Sequence, residues 1–164
     1  MSNYKNRPKT LILGIGNTIR CDDGAGIEVV RRLTKKIKSE NVVLKETSEA
    51  GFNLLDIIIG YERLIIVDSI QTKDRRIGDI YQFNLVDLKS SIHPQFSHQI
   101  DIPAVLSLGE KINLAVPKEI TFFAIEIEKG DVFGQGLTKK VGEAVYRVVK
   151  LIMESSNYSS RYSS

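Results

Sequence analysis

No apolar stretch in this chain approaches the ~18 residues that cross a bilayer, and the opening Met-Ser-Asn-Tyr-Lys-Asn-Arg-Pro contains no apolar signal region. A cytoplasmic protein without a membrane partner is expected. Cysteine is nearly absent as well. Cys21 stands alone, which excludes an intrachain disulfide framework and suits a reducing compartment. An excess of one charge is also missing: 23 basic and 20 acidic residues leave a net charge of +3. Short basic clusters such as Arg31-Arg32 with Lys35-Lys36 fit a solvated helix face, so no nucleic-acid partner is expected. The chain lacks a glycine-lysine-serine/threonine phosphate loop and shows no internal repeat.

What is present is an alternation of strand and helix. With 42% hydrophobic and 26% charged residues, 164 residues suffice for one domain with a real core and are too few for two ordinary ones. Thr10 to Ile15 is a continuous apolar run, as a strand buried on both faces requires. A helix follows from Asp23 to about Ser39, with Gly26, Val30, Leu33 and Ile37 at helical spacing and Asp22 placed as its N-cap. Asn41 to Thr47 reads as a second strand, Gly51 to Ile59 as a short helix stopped by Gly60, with strand left open by its branched residues, and Arg63 to Ile70 as the third strand. The short link after it makes 79–85 an antiparallel neighbour, because a parallel crossover needs about a dozen residues. Lys89 to Gln99, with Pro94 and both histidines, reads as a loop. Asp101 and Pro103 then open a helix, Glu119 to Glu126 forms the last strand, and Thr138 caps a final helix. Residues 9–154 are the expected domain. Residues 1–8 and 155–164, the latter with six serines in ten, are expected to be flexible tails.

The informative stretch runs from Leu11 to Val30. An apolar strand enters a glycine-asparagine turn, and two adjacent aspartates sit where a helix begins. Ligands of parallel α/β sheets bind beyond the carboxyl ends of the strands, beside such helix starts. Gly14-Ile-Gly-Asn-Thr-Ile carries two glycines of the dinucleotide fingerprint but has Ile19 in place of the third, and Asp22 and Asp23 would repel a pyrophosphate. No nucleotide is expected; a cation fits better. If strands one and three are parallel neighbours, Asp23, Asp68 and His98 share one edge of the sheet. Two carboxylates and an imidazole suit a divalent ion such as Ni²⁺ or Zn²⁺, or equally a general base with its orienting partners. Asp68, ending a buried strand, needs a partner to offset its desolvation.

Taken together, Gly14-x-Gly-Asn-x-x-x-x-Asp-Asp-Gly-x-Gly, Ile66-Val-Asp-Ser and Ser97-His-Gln resemble the hydrogenase maturation endopeptidases. The similarity extends over about residues 9 to 153, including Gly51-Phe-Asn-Leu-Leu and Gly136-Leu-Thr. It implies an α/β fold, a single-domain three-layer sandwich whose twisted, mostly parallel sheet of about five strands is flanked by helices. It also implies an endopeptidase that removes the C-terminal extension of a nickel-iron hydrogenase large-subunit precursor once nickel has been inserted. The family's metal-contacting and catalytic positions fall on Asp23, Asp68 and His98, with nickel supplied by the precursor. The first-loop acid, often glutamate in the family, is aspartate here, and Ser69-Ile-Gln-Thr-Lys-Asp-Arg-Arg after Asp68 is more charged than the usual segment. Two other readings stand beside this one. In the first, a thiol hydrolase uses Cys21 as nucleophile, His98 as base and Asp68 as orienter. In the second, the fold is a non-catalytic metal-sensing or chaperone-like binding module.

Overall fold

The computed structural model describes residues 9–73, 75–89, 96, 98, 101–128 and 133–155. The expected tail segments 1–8 and 156–164, and most of the 90–100 loop with His93 and Pro94, lie outside them. Branched apolar residues form the interior strands β1 (Thr10–Ile15), β3 (Arg63–Ile70) and β5 (Glu119–Glu126), each buried along nearly its whole length. The sheet is completed by β2 (Val42–Thr47) and β4 (Ile80–Asn84), in the order β2-β1-β3-β5-β4. All pairings are parallel except β4 with β5. The antiparallel strand expected at 79–85 is therefore present, but β5 stands between it and β3. A short link leaves a strand's direction legible and its neighbour open, because a later strand can insert between the two.

Alternation along the buried strands sends side chains to two cores. Leu11, Leu13, Ile66 and Phe122 meet α2 (Leu54–Ile58), α3 (Leu85–Lys89) and α4 (Ile102–Lys111) on one face. Ile12, Val67, Phe123 and Ile125 meet α1 (Ala25–Lys36) and α5 (Lys139–Ser155) on the other. This is the three-layer sandwich with a five-stranded sheet. Asp101 caps α4, accepting from the Ala104 N–H at 3.0 Å. Ser155, expected to begin the tail, is the last residue of α5. The five-residue α3 falls in a stretch read as strand and loop. No helix among the described residues is long and apolar enough to cross a membrane.

One close approach sets the geometry of the sheet's carboxyl edge. A Cβ on Gly26, in the first turn of α1, would collide with the Val67 and Ile15 carbonyl oxygens, and one on Gly14 with the Gly26 oxygen. Glycine at these two positions lets α1 lie directly against β1 and β3. The chain runs from β1 to β2 on one side and returns to β3 on the other, so the strand order reverses at β1 while the strands stay parallel. The switch-point crevice opens between the ends of β1 and β3.

Candidate active site

Two successive carboxylates enter this crevice from the 3-10 turn Cys21–Gly24, and they diverge. Cys21 adopts a left-handed φ of 44°, a conformation that costs a non-glycine residue about 1 kcal/mol. Asp22 then points to the start of α5. Its Oδ1 accepts from the Thr138 N–H at 2.7 Å and its Oδ2 from the Thr138 hydroxyl at 2.9 Å. The expected role of Asp22 as the cap of α1 is thus corrected: the residue before α1, Gly24, makes no side-chain cap, and Asp22 instead fixes the positive end of α5. Asp23 turns the other way, toward β3.

Asp68 and Ser69 lie near the end of β3, both fully buried. The Ser69 N–H donates to Asp68 Oδ1 at 2.7 Å, and the Ser69 hydroxyl donates to Asp23 Oδ1 at 3.1 Å. His98 bridges the two acids, with Nδ1 2.8 Å from Asp68 Oδ1 and Nε2 3.4 Å from Asp23 Oδ2. It is held there by Phe96, whose backbone pairs with Ile70 and whose buried ring stacks on Phe122 with centroids 4.1 Å apart. The three residues expected at one edge are therefore brought together. Ser69 and Phe96 were not singled out from the sequence. The polar residue next to Asp68 in a buried strand, and the lone aromatic two residues before His98, are the signals that point to them.

Environment separates the two carboxyls. Burial favours the neutral form of Asp23, but the hydrogen bond and charge of His98, the Ser69 hydroxyl and the Arg20 charge outweigh it, and the group lies below its usual range. Burial holds Asp68 above the usual carboxylate range despite its bonds to His98 and Ser69. Burial also opposes the charged imidazole of His98, yet the bonds to Asp23 and Asp68 raise it to about 10. An ionised acid thus faces a protonated imidazole whose orientation is fixed by a second acid. Pairs pushed apart in this way divide acid and base roles between them.

Asp68 Oδ2 is buried without a hydrogen-bond partner among the described residues. Glu126, also buried, contrasts with it, since Thr72 N–H, the Thr72 hydroxyl and the Tyr81 hydroxyl all donate to its carboxylate. Glu126 therefore anchors the segment after β3, whereas the Asp68 oxygen has unused capacity. Both His98 ring nitrogens face carboxylates, and among the described residues no three His, Cys, Asp or Glu side chains are arranged to hold an ion by themselves. Cys21 packs its sulfur against Gly134, where an added Cβ would lie 3.0 Å away. With both imidazole nitrogens engaged by acids, the nucleophile-base pairing of a thiol hydrolase is not formed.

A family model described as hydrogenase maturation protease matches residues 27–155, which include Asp68 and His98 and begin just after Asp23. The chain belongs to that family. As a hydrogenase maturation protease it is a peptide hydrolase, and its named relatives agree. It is 26% identical over 157 residues to a hydrogenase expression/formation protein, HupD, of Thiocapsa roseopersicina, covering 92% of this chain and 68% of that one. It is also 26% identical over 119 residues to the hydrogenase 2 maturation protease of Escherichia coli, covering 71% and 72% of the two chains. The solved hydrogenase maturating endopeptidase HybD of E. coli shares the fold, with a TM-score of 0.74 over 91% of this chain and 92% of that one at 23% identity.

Proposed function

We propose that this maturation protease removes a C-terminal extension from the large-subunit precursor of a nickel-iron hydrogenase, and that it recognises the nickel already carried by that precursor. The observation that carries the reading is the juxtaposition at the switch point: Asp23 Oδ2 faces His98 Nε2 at 3.4 Å, beside a buried Asp68 with an unpartnered oxygen. Carboxylate oxygens and a neutral imidazole nitrogen form a donor set that nickel accepts. Asp68 on Nδ1 is the kind of partner that orients a metal-binding histidine.

The reaction is amide hydrolysis without a covalent enzyme intermediate. Water adds to the scissile carbonyl, the C–N bond breaks, and the amine leaves with a proton. A carboxylate that the nickel leaves unliganded, Asp23 or Asp68, takes the water proton and passes it to the leaving amine, while His98, neutral when its Nε2 binds the metal, holds the ion in place. The test is intact mass spectrometry of nickel-loaded precursor after incubation with wild-type, Asp23→Asn and Cys21→Ala proteins. Loss of a C-terminal peptide is expected with the wild type and Cys21→Ala but not with Asp23→Asn. Cleavage by Asp23→Asn at the wild-type rate would remove Asp23 from the chemistry, and loss of cleavage in Cys21→Ala would reinstate the thiol.

A further inference from the structure

Beside Asp23 the first loop is joined to a second segment by backbone pairing. The Cys21 N–H donates to the Gly134 oxygen at 3.2 Å and the Gly134 N–H to the Ile19 oxygen at 3.1 Å, so Arg20 and Gly134 form a short parallel bridge. Glycine at 134 permits it, because a side chain there would press on Cys21 Sγ. The loop is braced from within as well. Asn17 Oδ1 accepts from the Ile19 N–H at 3.1 Å, and the Asp23 N–H donates to the Arg20 oxygen at 3.0 Å. The result is a fixed ledge whose apolar side chains are left in water, Ile19 at 59% and Phe133 at 68% exposure. The Arg20 guanidinium lies 5.8 Å from the Phe133 ring centroid, and its charge is felt at Asp23. Two large apolar side chains on a braced loop pair, a few residues from a reacting acid, are not accounted for by the core of the fold.

We infer that Ile19 and Phe133, with Arg20 between them, form the docking ledge for the precursor segment next to the cut bond, and that the ledge selects an apolar side chain in that segment. The inference rests on the peptidase reading above and names the partner surface of that same site. The occupant follows from position. A peptide bond attacked beside Asp23 brings its flanking residues over the turn that carries Asp23, and Ile19 and Arg20 lead directly into that turn.

The experiment compares wild type with an Ile19→Ser/Phe133→Ser double variant, an Ile19→Leu/Phe133→Leu double variant, and Val86→Ser. Val86 is an exposed apolar residue in α3, after the end of β4 that pairs with Thr121 at the opposite sheet edge. Cleavage kinetics and calorimetric binding of nickel-loaded precursor are both measured. The serine pair is expected to raise KM and Kd about tenfold with kcat within about twofold, the leucine pair to restore both, and Val86→Ser to change neither. Unchanged KM and Kd in the serine pair, or a fall confined to kcat, overturns the ledge while leaving the peptidase reading intact. A precursor that wild type binds but leaves uncut overturns the peptidase reading. In that case a tenfold weaker Kd in the serine pair still supports the ledge as a binding surface, and an equal Kd overturns it too.

Discussion

Ser69 touches both site carboxylates through different atoms, its N–H on Asp68 and its hydroxyl on Asp23. Replacing Ser69 with alanine keeps the first bond and deletes the second, leaving Asp23 Oδ1 without that donor. A partly buried carboxylate so deprived costs about 1–3 kcal/mol, read as a lower urea midpoint, and kcat is expected to fall because Asp23 is no longer held toward His98. Wild-type kcat in Ser69→Ala would show that the hydroxyl does not orient the acid. The imidazole offers a second check. Its folded value, about 10, lies above its ordinary 6.5, so the stabilisation from charged His98 is complete below about 6.5 and is lost as pH rises through about 10. Ring-proton NMR of the metal-free protein should place its titration well above 7, and Asp68→Asn should lower it. At this scale the three polar residues were legible because charge at strand ends and helix starts has few uses. The partner of Asp22 was not: the Thr138 it binds is 116 residues away, and only the fold brings the two together.

The segment carrying His98 is positioned by an aromatic anchor rather than by a regular element. Phe96→Ala removes a ring packed on Phe122 and set edge-on to Phe83, and should destabilise by about 3–5 kcal/mol in chemical denaturation. Phe96→Leu fills much of the space and should recover most of the stability. If the anchor positions His98, the alanine variant also lowers the His98 pKa toward its ordinary value, a shift that simple core loosening elsewhere would not produce. The start of α5 is tied to the site loop in a comparable way. Asp22→Ala leaves the Thr138 N–H and hydroxyl without their acceptor and should cost about 1–3 kcal/mol in the same assay. An unchanged midpoint would mean that water replaces the carboxylate fully. The long periodic elements were readable from their apolar spacing. The five-residue α3 was not, since a single turn and a half is too short for helical periodicity to separate from a strand's alternation.

Across the whole molecule, the parallel arrangement of β1 and β3 turns separate sequence signals into one site. The order β2-β1-β3-β5-β4 places the reversal of strand order at β1, where Gly26 lets a helix start sit against two strands and present Asp23 to Asp68. The two apolar runs ending in polar residues marked the strands and left their adjacency a condition; that pairing, like the position of β4 beyond β5, depended on long-range contacts that no local pattern encodes. The central claim is that the site reads a metal brought by its substrate. The most direct measurement is the cleavage rate of one precursor prepared in parallel with and without nickel, followed by intact mass. The loaded form should lose its C-terminal peptide, and the nickel-free form should stay intact over the same interval. Equal cleavage of both forms would contradict nickel recognition and return the site to a metal-independent pair of acids sharing a histidine.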